Sequence, residues 1–241
     1  MNIPISPPPD NHLSSSGLSF ERVSLRYGRD TEILTDVSFT LNQGSLNFVT
    51  GPSGAGKTSL LKLMYLHMRP SRGLINVFGH DTALLNRKDI PALKRRMGIV
   101  LQEFRLVDHL SVFENVALPL RVSGRPRREY VDDVVSLLQW VGLGERMGAM
   151  PQTLSGGEAQ RAAIARAVIA KPDILIADEP TGNVDHEIGV RLIRLFSELN
   201  RLGTTVIIAT HDLALIPDTA NVLTLRHGTV IHKEAHRGSS S

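Results

Sequence analysis

Leu46-Asn47-Phe48-Val49-Thr50 runs directly into Gly51-Pro52-Ser53-Gly54-Ala55-Gly56-Lys57-Thr58, and this join decides the fold. The first five residues read as a short apolar strand. The next eight satisfy G-x-x-x-x-G-K-[ST], and apolar Leu60, Leu61, Met64 and Tyr65 then recur at helical spacing as far as His67. Strand, glycine-rich loop and helix, in that order, open an α/β unit. The glycines let the backbone curl until successive N–H groups point into one concavity, reinforced by the positive end of the following helix. Such a cradle holds a triphosphate. Lys57 places a point charge at the β and γ phosphates, and Thr58 offers a hydroxyl to Mg²⁺.

Upstream, residues 18–25 and 37–41 alternate apolar and polar, and Asn42-Gln43-Gly44 then turns the chain, which predicts an antiparallel sheet. Downstream, Ile174-Leu175-Ile176-Ala177 and Thr205-Val206-Ile207-Ile208-Ala209-Thr210 are continuous apolar strands separated by a helical stretch from about Glu187 to Leu202. That pattern predicts a buried parallel sheet. Residues from about 86 to 158 are helical in pattern, rich in Arg, and broken at Ser123-Gly124-Arg125-Pro126 and Met150-Pro151, which predicts a helical subdomain. Pro, Ser and Asn dominate residues 1–17, which read as a disordered tail, and residues 237–241 read as a loose end. The folded domain is thus expected over residues 18–236.

Composition narrows the function. With 241 residues, 41% hydrophobic and 21% charged, the chain can bury a substantial core without staples. It has no cysteine, which excludes disulfides, thiolate metal sites and thiol catalysis. The net charge of +3 is too small for a nucleic-acid footprint, and Arg95-Arg96 and Arg127-Arg128 read as a solvated basic face or one near anionic lipid headgroups. No apolar run reaches the roughly 18–20 residues that span a bilayer, and the N-terminus carries no secretory pattern. A membrane role is expected only through a partner.

A second constellation follows the Ile174 strand. Ligands in doubly wound sheets bind beyond the carboxyl ends of strands, where Asp178-Glu179 falls. Asp178 suits a Mg²⁺ ligand, and Glu179 suits the group that polarises a water in line with the γ phosphate.

Leu154-Ser155-Gly156-Gly157-Glu158-Ala159-Gln160-Arg161, upstream of Ile174-Leu175-Ile176-Ala177-Asp178-Glu179-Pro180-Thr181, resembles the LSGGQ-type signature of ABC ATPases, with Glu158 where Gln is commonest. The resemblance covers about residues 18–233. It implies an α/β P-loop domain with a mixed RecA-like core sheet, an antiparallel β subdomain and an inserted helical subdomain. It implies that Tyr27 stacks on adenine, and that the residues of the Gly51 to Thr58 loop, with Ser59, bind ATP and Mg²⁺. Gln102 resembles the Q-loop glutamine at Mg²⁺ and the attacking water, and His211 the switch histidine at the γ phosphate. Thr181-Gly182-Asn183-Val184-Asp185 resembles the D-loop, with Asp185 in the nucleotide-binding set. Ser155, Gly156, Gly157 and Glu158 are expected at the ATP of a second copy, in a head-to-tail dimer that ATP completes.

Residues 102–120, beginning Gln102-Glu103-Phe104-Arg105-Leu106, resemble the FtsE-type cell-division branch of this family, as do residues 89–98. The resemblance implies that this region receives a membrane partner. The resemblance implies the integral membrane protein FtsX as that partner, control of septal cell-wall hydrolysis as the output, and a peripheral place on the cytoplasmic face of the bacterial inner membrane. The ATPases of lipoprotein-release or MacB-like exporters share similar segments and stay open as an alternative, with another permease as partner.

Overall fold

The computed structural model describes residues 16–28, 31–182 and 186–233. The expected tail and loose end lie largely or wholly outside them. The strand before the glycine loop, β3 (Leu46–Thr50), lies between β8 (Thr205–Ala209) and β9 (Asn221–Arg226), parallel to both. β7 (Ile174–Asp178) pairs in parallel with β8, and β6 (Met97–Val100) with β7. β10 (Thr229–Lys233) closes the other edge antiparallel to β9. The six strands run in the order β10-β9-β3-β8-β7-β6. β7 and β8 are buried at every residue, because helices cover both faces of the sheet.

The alternating segments are longer than their apolar pattern. β1 (Ser16–Tyr27) and β2 (Thr31–Asn42) form an antiparallel pair, since ladder bonding continues through polar residues such as Arg26 and Glu32. β4 (Arg72–Val77) and β5 (His80–Asp81) complete a sheet ordered β2-β1-β4-β5. Between the two sheets lies α1 (Lys57–Met64), whose Leu60, Leu61, Leu63 and Met64 are all buried in one cluster with both. The helix stops short of His67, because Leu66 turns left-handed, at φ 58°.

On the opposite face of the large sheet, α5 (Gly156–Val168) and α6 (His186–Arg201) pack Ile164, Val168, Leu192 and Phe196 against Phe48, Leu175 and Val206. A third cluster joins α3 (Val112–Val122), α4 (Val131–Trp140) and the other side of α5, through Ala162 and Ala165. Thus α5 is buried from two directions. β6 falls inside the expected helical stretch, 86–158, yet it belongs to the central sheet. Met97 to Leu101 also reads as a short strand leading to Gln102, and the strand formed is Met97–Val100. A Cβ at Gly98 would lie 2.3 Å from the Ala167 carbonyl, so only glycine lets β6 pass this close to α5. α2 (Ile90–Arg95) leads into β6.

One arginine of each pair makes a structural contact. Arg96 pairs with Asp173 at 2.6 Å and lies 3.9 Å over the Phe78 ring. Arg127 lies 5.2 Å from the centre of the Phe113 ring. Among the described residues no helix is long and apolar enough to cross a membrane.

Both α3 and α5 open with a capping box. Ser111 Oγ accepts from Glu114 N–H while the Glu114 carboxylate accepts from Ser111 N–H, and Ser155 and Glu158 repeat the arrangement. Glu158 also receives Arg146 at 3.0 Å. The Ser155 backbone N–H, followed by Arg146 and the Ser155 side chain, lowers the Glu158 pKa to about 2 from 4.5. A depressed carboxylate pKa contributes stability above its unfolded value and loses it as pH falls through the folded one. Stability is therefore expected to drop between pH 4.5 and about 2 by a component that Glu158→Gln lacks, as read by urea unfolding of both proteins across that range.

Candidate active site

Four motifs converge at the carboxyl ends of β3, β6, β7 and β8. Ser53 and Lys57 from the loop after β3, Gln102 after β6, Glu179 and Gly182 after β7, and His211 after β8 line one cavity of about 270 Å³. Parallel pairing puts these strand ends side by side, so residues far apart in sequence face one space.

The loop is held by its backbone. Gly51 has φ 142°, and a Cβ there would meet the Leu225 carbonyl oxygen at 2.3 Å, so this position requires glycine. The Lys57 ammonium donates to the Gly51 carbonyl at 2.8 Å and the Pro52 carbonyl at 3.3 Å, which keeps its charge at the loop's mouth. It also lies 3.9 Å from the Glu179 carboxylate.

Asp178 and Glu179 are adjacent but differently placed. Asp178, the last residue of β7, is 5% exposed. Burial raises its pKa first, and the Glu179 charge adds to that. The Thr58 hydrogen bond, Lys57 and Lys62 oppose the rise. Glu179 leaves the strand at φ 49°, a left-handed conformation costing about 1–3 kcal/mol in a non-glycine residue. Its N–H donates to the Ala209 carbonyl, and the turn swings its carboxylate away from Asp178 into the cavity. There Glu179 Oε2 accepts from His211 Nδ1 at 2.9 Å. The His211 ring is 73% exposed, so it reaches Glu179 from the solvent side.

The remaining expected residues lie around this cavity rather than in it. Tyr27 is 45% exposed at the end of β1, and its hydroxyl is 3.4 Å from Ser59 Oγ and donates to Met68 Sδ at 3.1 Å. It thus stands beside α1, and Ser59 is buried within that helix. Gly54, Ala55 and Gly56 complete the loop that Pro52 begins. Ser155, Gly156 and Gly157 form the exposed to half-buried start of α5, and none of them lines the cavity around Lys57. The Glu158 carboxylate is engaged by Ser155 and Arg146. Asp185 lies outside the described residues.

Three polar residues make contacts that the motifs do not assign. Gln160 is fully buried and donates from its side-chain amide to the Pro180 carbonyl, tying α5 to the segment after Glu179. Asn115, also fully buried, accepts from Val107 N–H and donates to the Val107, Leu110 and Ser111 carbonyls. Arg166 donates to the Phe104 and Arg105 carbonyls, each at 3.0 Å. The available signal was the lone polar residue in an apolar helical run, as at Ala165-Arg166-Ala167 and Asn115-Val116-Ala117.

The chain is similar to known proteins over most of its length. The ABC transporter family profile matches residues 34–182. The cell division ATP-binding protein FtsE of Escherichia coli K12 is 42% identical over 221 residues, covering 90% of this chain and all of the relative. The protein of the same name from Haemophilus influenzae is 44% identical over 83% of this chain and 92% of its own length. That from Bacillus subtilis is 36% identical over 90% and 96%. Among solved structures, the dimeric ATP-binding cassette MJ0796 bound to ADP and Pi superposes with a TM-score of 0.85 at 28% identity, over 91% of this chain and 99% of that one. A second dimeric MJ0796 structure gives 0.85 at 31%, over 92% and 99%. The chain is a member of the ABC transporter ATP-binding family, an ATPase of the FtsE-like kind.

Proposed function

We propose that this chain hydrolyses ATP in a head-to-tail pair of copies and transmits the cycle to an FtsX-type membrane protein that controls septal cell-wall hydrolysis. The observation that carries the enzymatic part is the convergence of Lys57, Gln102, Glu179 and His211 on one cavity. Lys57 and the loop N–H groups hold the phosphates and counter their charge. Glu179 orients a water and accepts its proton, and the His211 contact at 2.9 Å fixes the carboxylate's direction. Gln102 lines the same cavity and supplies an amide to the water.

Magnesium fits this donor set. The Thr58 hydroxyl and the buried Asp178 carboxylate are two hard oxygens at the end of the loop and of β7, and Mg²⁺ takes one or two protein oxygens, completing its shell with phosphates and waters. Gln102 would be a third protein donor. Once bound, the ion spreads the charge of the phosphate oxygens. Asp178→Asn is expected to abolish the strengthening of nucleotide binding by magnesium, as measured by calorimetry with and without the ion.

Pairing of two copies is supported by the dimeric MJ0796 cassettes and by the placing of Ser155, Gly156 and Gly157 outside the Lys57 cavity. An N-terminal helix end attracts anions, and a second copy facing this one brings that end to the nucleotide. Glu179→Gln is expected to bind ATP, turn over at least about a hundredfold more slowly, and elute as a dimer on sizing with ATP. A variant that stays monomeric would count against the pairing, and Lys57→Ala should show neither binding nor dimer.

For the membrane partner, the supporting feature is a groove of about 1050 Å³ between α2, α3 and the end of α5. Its apolar lining includes Ile90, Leu118 and Val122, while Arg87, Lys94, Arg95, Arg125 and Lys171 at its edge face a single acid, Asp133. This suits an apolar segment with acidic flanks. Phe104 and Leu106 are not in its lining, and Leu106 packs against the helical cluster instead. Attachment through such a groove would make the chain peripheral to the membrane. Lys94→Glu with Arg95→Glu is expected to cut recovery of FtsX on the tagged chain at least about tenfold while leaving ATP affinity intact. Undiminished recovery would move docking elsewhere, and recovery of a different permease would keep the groove and replace the division role.

A further inference from the structure

We infer that Arg166 is a positioning residue for hydrolysis: from the signature helix it locks the turn that presents Gln102 to the nucleotide cavity. The inference rests on the role given to Gln102 above.

The geometry runs through three links. Gln102 and Glu103 are the middle residues of a turn closed by the Phe104 N–H, which donates to the Leu101 carbonyl at 3.0 Å. Phe104 and Arg105 both have positive φ, 48° and 43°, in a region where L side chains crowd the backbone. Two consecutive residues of this kind persist only where their surroundings hold them. What holds them here is the Arg166 guanidinium, with Nη2 on the Phe104 carbonyl and Nη1 on the Arg105 carbonyl. The planar fork reaches both at once.

Arg166 has no competing carboxylate. Among the described residues none lies within ion-pair distance of it, and its further acceptor is Asn115 Oδ1 at 3.5 Å. Asn115 in turn carries the rest of the loop through Val107, Leu110 and Ser111. Burial lowers the Arg166 pKa, yet an arginine remains charged at any physiological pH. A charged group thus sits half-buried with only neutral acceptors. It also lines the groove offered to the membrane partner. One side chain therefore touches the helix that carries the signature, the turn that carries Gln102, and the docking groove.

The test is steady-state ATP hydrolysis by the full chain, with affinity for a fluorescent ATP analogue and thermal melting measured alongside. Arg166→Ala is expected to lower kcat about tenfold or more while KM and analogue affinity stay within about twofold. Arg105→Gly added to it should restore most of the lost turnover, because glycine adopts positive φ without a holding contact. Among the described residues, the ion-pair partner of the Arg105 side chain is the exposed Glu103. If Arg166→Ala does not fold, Arg166→Lys serves. One ammonium cannot reproduce the fork, and an intermediate kcat at a wild-type melting temperature is expected. Full turnover in either soluble variant would overturn the inference. So would a parallel loss of affinity, turnover and melting temperature that Arg105→Gly leaves unrelieved. Gln102→Ala is the companion variant. Full turnover there would overturn the Gln102 assignment and the inference with it, whereas a slow Gln102→Ala beside a fast Arg166→Ala would overturn the inference alone.

Discussion

The burial of α1 between two sheets constrains everything else in the site. Its four large apolar residues leave the helix no freedom to rotate or slide, because each is enclosed by strands of one sheet or the other. Lys57 and Thr58 occupy the first turn of that fixed helix. Their distances to Glu179 and Asp178 are consequently set by packing and need no contribution from the charges themselves. The order of forces is hydrophobic first and electrostatic second. A core that excludes water on both sides of α1 also makes each charge at its end more effective.

Against that rigid floor, the acidic pair is divided by backbone geometry. Two carboxylates on consecutive residues would repel if both faced one way. The left-handed turn at Glu179 separates them, sending Asp178 toward Thr58 and Glu179 toward His211. Conformational strain at this residue is compensated by the ladder bond from its N–H to Ala209 and by the buried strand that precedes it. The strain has a local function: it aims one oxygen.

What the sequence made legible follows from the range of the interactions involved. The residues that the structure gathers about the cavity, from Ser53 to His211, all lie in local motifs, because strand ends and tight turns must use particular residue types. The parallel sheet was readable from the continuous apolar runs of β7 and β8. Less legible were features decided at a distance. β6 is legible as a short strand before Gln102, but its place beside β7 at the edge of the central sheet is not. The ends of β1 and β2 depend on ladder pairing rather than on apolar alternation. Arg166 meets its carbonyls across more than sixty positions of chain, and Gln160 meets Pro180 across a strand, so a local pattern can mark such residues but cannot name their partners. The same holds for residues 102–120: the segment resembles one branch of a family, while the groove proposed for docking is lined from α2, α3 and α5 together.

The double burial of α5 has a consequence for folding. Ile164 and Val168 belong to the core of the large sheet, while Ala162 and Ala165 belong to the core of the helical layer. Neither core is complete without the same thirteen-residue helix. The helical layer therefore has no independent melting transition of its own: opening it strips one wall from the sheet. Native-state amide exchange would report the two as one cooperative block, with α5 among the last segments to exchange.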